Sequence, residues 1–178
     1  LTAGPASSVN VTFDDLVCLG TETTIPPEYK GVQWGEPWRC LDGANMPVNE
    51  YGCSGYMALS AQTSSGPNVA FSAFGGPVNI SFPSGGPLRG LLRFKAMAAW
   101  DDNLELGLTA VQSGTILGSV QFPLSMTVAL TIEVANYAVF ENATDIVFNP
   151  RTPQESSCLC DEKCVGNHFV IDDMEFKI

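Results

Sequence analysis

Residues 103–122 read Asn103-Leu104-Glu105-Leu106-Gly107-Leu108-Thr109-Ala110-Val111-Gln112-Ser113-Gly114-Thr115-Ile116-Leu117-Gly118-Ser119-Val120-Gln121-Phe122. Leu104, Leu106, Leu108 and Ala110 alternate with other residues, and so do Ile116, Gly118, Val120 and Phe122. Successive side chains on a strand point to opposite faces, so a period of two marks a half-buried strand. Gln112-Ser113-Gly114 lies between the two runs and predicts a hairpin turn.

The same period runs outward in both directions. Met126, Val128, Leu130, Ile132 and Val134 alternate. Further strands are predicted at 9–16, 31–34, 56–60, 68–73, 78–82, 89–99, 136–140, 145–149 and 169–178. No long stretch has a helical period, and 17 Gly with 12 Pro punctuate the chain. Many short strands between turn signals predict an all-β, antiparallel β-sandwich or barrel. Residues 35–55 and 150–168 read as irregular, cysteine-bearing loops. The 178 residues fit one domain, 1–178, with a cysteine-rich insert at about 150–168.

Hydrophobic residues make up 45% of the chain and charged ones 15%, which excludes a disordered tail. The net charge of −11 argues against nucleic acid and against charge-driven binding to an anionic membrane. Residues 106–132 carry no charge, but Gly107, Gln112, Gly114, Gly118, Gln121 and Pro123 interrupt the run, so membrane insertion is not expected.

Six cysteines, Cys18, Cys40, Cys53, Cys158, Cys160 and Cys164, fit a disulfide framework in an oxidising compartment. Cys158, Cys160, Cys164 and His168 also form a C-x-C-x3-C-x3-H set, but its spacing is tighter than zinc sites use. Asn10-Val-Thr12, Asn79-Ile-Ser81 and Asn142-Ala-Thr144 are N-glycosylation sequons. The first two fall on predicted strands with the sequon residues facing outward, and the third in a turn. Leu1–Pro5 has no basic or apolar leader character, so the chain reads as a mature secreted, extracellular product.

The first strand places Val9, Val11, Phe13 and Asp15 on one face, and the last places Val170, Asp172, Met174, Phe176 and Ile178 on one face. Pairing of the two ends gathers Asp14, Asp15, Asp172 and Asp173, hard oxygen ligands that suit Ca²⁺. The alternative is that these aspartates cap strand ends or face solvent. Antiparallel pairing also brings Cys18 toward the cysteines at 158–164.

Val11-Thr12-Phe13-Asp14-Asp15-Leu16, Tyr29-Lys30-Gly31-Val32-Gln33-Trp34, Ala99-Trp100 and Asp172-Asp173-Met174-Glu175-Phe176 occur in this order. The chain resembles secreted β-sandwich proteins with an FDDL…YxGxxW…AW…DDxxF layout, and is similar to calcium-containing jelly-roll modules that bind carbohydrate. The first likeness implies a jelly-roll-like fold and secretion, and no reaction. The second implies a structural Ca²⁺ on Asp14 or Asp15 and Asp172 or Asp173. The insert at 150–168 departs from the simple pattern.

Tyr29, Trp34, Trp38, Tyr51 and Tyr56 crowd one region, and aromatic faces stack on sugars. Trp38, Tyr51, Tyr56 and Trp100 are the candidate carbohydrate-binding residues, and core packing is the competing role, foremost for Trp34. Catalysis is poorly supplied. His168 is the only histidine, there is no G-x-S-x-G elbow, and no Gly-rich phosphate loop precedes a helix. Asp101, Asp102, Glu105, Glu133 and Glu141 are available to a glycosidase, yet no spacing selects a pair. The expectation is a non-catalytic module binding an extracellular glycan or matrix protein. The alternatives are a self-assembling structural or adhesive subunit, then a small polysaccharide-active enzyme.

Overall fold

The computed structural model describes residues 7–18, 22–46, 54–63, 65–152 and 167–178. In chain order its strands are β1 (Ser8–Val11), β2 (Thr23–Thr24), β3 (Glu28–Tyr29), β4 (Val32–Trp34), β5 (Trp38–Asp42), β6 (Asn68–Ser72) and β7 (Val78–Ser81). They continue with β8 (Gly90–Ala98), β9 (Leu104–Gln112), β10 (Thr115–Leu124), β11 (Leu130–Glu133), β12 (Asp145–Arg151) and β13 (Phe169–Lys177). One helix, α1 (Gly55–Gln62), lies between β5 and β6.

Two antiparallel sheets face each other, as the alternation predicts. One runs β11-β8-β13-β6-β5-β2, with β1 added alongside β13. The other runs β10-β9-β12-β7-β4-β3. This is a jelly-roll-like sandwich. The uncharged run at 106–132 supplies the β9–β10 hairpin rather than a spanning segment. Its two-residue turn, Ser113-Gly114, has positive φ at both positions, 49° and 81°, which matches the twist of the strands it joins. Among the described residues no helix is long and apolar enough to cross a membrane.

The inner faces meet in an aromatic core. Trp34 and Trp38 cross edge-to-face at 5.4 Å, and Trp38 continues edge-on to Phe148 and Phe169. Each indole N–H is satisfied: Trp34 Nε1 donates to the Tyr29 carbonyl and Trp38 Nε1 to the Asn79 carbonyl. A second, smaller core lies under α1 on the outer face of the first sheet, where Tyr56 and Leu59 meet Phe71, Met97 and Val170. All five residues of β6 are therefore buried, which explains a sequence there without alternation.

The helix corrects the strand expected at 56–60. Met57, Ala58, Leu59 and Ala61 favour a helix once tertiary packing offers a place for it. Gly55 makes that place possible, because a Cβ there would sit 1.8 Å from the Ala98 carbonyl oxygen. The strand expected at 136–140 is replaced by two short 3-10 turns, Val134–Asn136 and Ala138–Phe140. The strand expected at 126–134 shortens to β11. The loop expected at 35–55 holds β5, whose Trp38, Cys40 and Leu41 are all buried.

The first and last strands do pair antiparallel, from Ser8↔Lys177 to Val11↔Met174. The face assignments correct, however. Along β13, Phe169 and Ile171 point into the sandwich before Asp172, and Met174 and Phe176 do so after it. The inward set switches from odd to even because the strand bulges between Asp172 and Glu175, with Asp173 at φ 49°. At that bulge β13 exchanges its neighbour β6 for β1.

One disulfide occurs among the described residues, Cys18–Cys40, with Cα atoms 5.7 Å apart. It ties the segment after β1 to β5, so Cys18 is bridged to Cys40 and not to a cysteine of 158–164. Cys53, Cys158, Cys160 and Cys164 lie outside the described residues.

Candidate functional site

Among the described residues, Trp38, Tyr56 and Trp100 do not form an exposed aromatic platform. Trp38 is 1% exposed and Tyr56 2% exposed, so neither ring face meets solvent. Both residues are pulled inward by large apolar area next to polar neighbours, a combination the sequence does not separate from surface stacking. Trp100 is half-buried and lies edge-on to Tyr56 at 5.4 Å, as part of the packing under α1. Tyr51 lies outside the described residues. The most open aromatic among the described residues is Phe74, in the turn after β6, at 79% exposure.

The four aspartates separate into two kinds. Asp15 accepts a hydrogen bond from the Tyr29 hydroxyl and pairs with Lys30 at 2.5 Å. Asp173 pairs with Lys95 at 3.0 Å. Asp14 accepts backbone N–H bonds from Gly66 and Asn68, at 2.7 and 3.2 Å. Asp172 is fully buried, and its Oδ2 accepts from the Ser65 hydroxyl at 2.7 Å. Its Oδ1 has no hydrogen-bond partner among the described residues. Burial pushes the Asp172 carboxyl up to about 7 against the Ser65 bond, and the charges of Asp173 and Asp14 add to the rise. The orphaned oxygen, on which the charge of Asp14 acts, fits a hard cation. The engaged carboxylates of Asp15 and Asp173 do not extend that fit to the four-aspartate set. No group of three or more His, Cys, Asp or Glu placed to hold a metal occurs among the described residues.

The sequons differ in access. Asn10 and Asn142 are exposed. Asn79 is half-buried in β7, and its amide donates to the Ser81 hydroxyl at 3.3 Å.

A cleft of about 440 Å³ opens where β8 begins and β13 ends. The two 3-10 turns that replaced a predicted strand form its opposite wall. Its inner lining includes Leu91, Val134 and Phe140, all buried. Tyr137 stands half-buried on that wall, held edge-on between Phe122 at 5.7 Å and Phe140 at 6.5 Å. Its hydroxyl makes no hydrogen bond among the described residues. Arg89, Lys177, Glu141 and Asn142 supply the polar groups around it, and all four are exposed. Sequence reasoning missed this site. Its one available signal was the Asn136-Tyr137 pair, which interrupts an apolar run and was assigned to a strand.

The carboxylates offered for glycosidase chemistry are mostly engaged in structure. Asp101 accepts from the Asn103 N–H, and Asp102 from the Ser125 hydroxyl and the Met126 N–H. Glu105 pairs with Arg151 and Glu133 with Arg93. Glu141 alone of the five lines the cleft. His168, the one histidine, lies with Nδ1 3.4 Å from the Tyr56 hydroxyl, and burial lowers its basicity.

No family model matches the chain, and no curated protein matches it. Three similar solved structures contain carbohydrate-binding modules. TmCBM61 in complex with beta-1,4-galactotriose is 12% identical with a TM-score of 0.37, over 85% of this chain and 91% of that one. A xylan-binding domain from CBM 22 is 12% identical with a TM-score of 0.38, over 89% and 93%. The M60 catalytic domain with the CBM51-1 and CBM51-2 domains from Clostridium perfringens ZmpB is 10% identical with a TM-score of 0.36, over 95% of this chain and 15% of that one. Likeness at this level assigns no residue a role here.

Proposed function

We propose that the chain is a secreted, glycosylated module that binds extracellular glycans, on a cell wall or matrix, without transforming them. The observation that carries this reading is the cleft. A sugar ring needs an apolar surface for its C–H face and a few convergent polar groups for its hydroxyls. Leu92 and the Tyr137 ring, both half-buried, supply the first, and the Tyr137 hydroxyl and Arg89 supply the second. Among the described residues the cleft lining carries one carboxylate, Glu141, where glycoside hydrolysis ordinarily uses two, which supports binding over catalysis.

Secretion is supported by the Cys18–Cys40 disulfide, since such bonds persist in oxidising compartments. The exposed sequons at Asn10 and Asn142 support glycosylation. A structural Ca²⁺ belongs to the same proposal: Asp172 Oδ1 and Asp14 would hold it, and it would supply the positive charge the buried Asp172 lacks.

A glycan array tests the reading, run with calcium and with chelator. It should use the glycosylated protein and an Asn142→Gln variant, because a glycan at Asn142 sits on the rim of the cleft. Selective binding that Tyr137→Ala abolishes is the expected result. A blank array for both proteins would sink it.

A second reading, a self-assembling structural subunit, has its own observation. Strand β10 forms one edge of its sheet, carries no charge, and leaves Ile116 69% and Leu117 38% exposed. Such edges are joining sites. Sedimentation velocity separates the readings: concentration-dependent growth that Leu117→Lys abolishes would favour assembly.

A further inference from the structure

The chain has 8 Lys and Arg against 19 Asp and Glu, so each cation has carboxylates to spare. Among the described residues, Lys30, Arg39, Arg93, Lys95 and Arg151 each form an ion pair. Arg89 and Lys177 form none, and both line the same cleft. The backbone holds the two segments together: the Arg89 N–H donates to the Lys177 carbonyl at 2.8 Å, and Lys177 pairs in register with Gly90. Arg89 is further anchored by an Nη1 bond to the Gly86 carbonyl at 2.7 Å, which leaves other guanidinium N–H groups available.

Two cations that line one cleft and form no ion pair among the described residues leave positive charge there for an anion to neutralise. Arginine presents a planar fork that matches a carboxylate or a sulfate. Tyr137 and the apolar lining stand beside this pair and fit a ring rather than a bare ion. Resting on the glycan reading above, we propose that the cleft selects an anionic sugar residue. Its charged group, a carboxylate or a sulfate ester, lies on Arg89 and Lys177, and its ring lies against Tyr137. Glu141, the one carboxylate in the lining, opposes this charge and weakens the binding. The net charge of −11 repels a long polyanion, so the preferred ligand carries isolated acidic units in a mostly neutral chain.

Isothermal titration of the full chain tests this with three matched probes. These are a neutral galacto-oligosaccharide, the same one ending in galacturonate, and the same one carrying one sulfate ester. At least one acidic probe should bind about tenfold more tightly than the neutral one, the scale of one charge-assisted hydrogen bond. Lys177→Gln, at an exposed position, should remove most of that preference and leave neutral binding unchanged, whereas Arg89→Gln should remove the preference and weaken neutral binding as well. Glu141→Gln should increase the preference. The tighter of the two acidic arms identifies the charged group. Equal binding of neutral and acidic probes would overturn the anionic preference and leave the glycan reading standing. No binding of any probe in this set, on a protein that also gives a blank array, would overturn both.

Discussion

Asp172 and Lys177 lie on the same strand, and each has an ionisable group that forms no ion pair among the described residues. Asp172 is buried at the bulge in the middle of β13, and Lys177 is exposed at its end. The consequences differ because water differs. A buried carboxylate with a free oxygen must take up a proton or a cation, since desolvation of the anion is expensive. An exposed ammonium is solvated and can wait for a ligand at little cost to the fold. The first region therefore reports on stability and the second on binding.

The comparison breaks most easily at Asp172. An unfolded aspartate titrates near 3.8, and this one titrates near 7 in the folded protein. Between these values the folded state holds a proton that the unfolded state has lost. Its contribution to stability is thus full below pH 4 and is lost as pH rises through 7. In chelator, Asp172→Asn should gain on the parent by about 4 kcal/mol between pH 4 and pH 8, read from urea unfolding at each pH. Added Ca²⁺ should raise the parent's midpoint at pH 8 and leave the variant unmoved. Parallel pH profiles would show that Asp172 is not a strained acid.

The interior sets a scale for the rim. Trp38→Ala should cost about 4 kcal/mol by denaturant unfolding, because it empties the centre of the aromatic core. A folded, stable variant with impaired glycan binding would instead restore Trp38 as a binding residue. Joint replacement of Cys18 and Cys40 by serine should cost about 3 kcal/mol, since the bridge closes a separation of 22 residues. At the rim, Arg89→Gln should change stability by no more than about 0.5 kcal/mol while altering ligand preference. A large loss of stability there would mean that Arg89 holds the fold and is not reserved for a ligand.

The sandwich was legible because period-two alternation is a local property. Leu104 to Phe122 folds as the hairpin its pattern describes, with Ser113-Gly114 as the turn. What escaped was decided by distant contacts. Residues 56–60 are helical because Gly55 lets the chain lie against Ala98 and Ala99, which no local pattern records. Alternation along β13 fails at Asp172 because a bulge there follows from the change of partner strand. Trp38 looked accessible because it sits between Pro37 and Arg39, and it is buried because β5 is an interior strand of its sheet. The cleft was invisible for a related reason. Arg89, Tyr137 and Lys177 are far apart in sequence and meet only through the pairing of β8 with β13 and the path of the 3-10 turns.

The most direct test of the central claim is amide chemical-shift mapping by NMR, with the best-binding glycan titrated into the isotopically labelled chain. The account predicts that shifts concentrate at residues 89–92, 134–142 and 177. Shifts concentrated instead around Phe74 or Trp100, with the cleft unmoved, would contradict it.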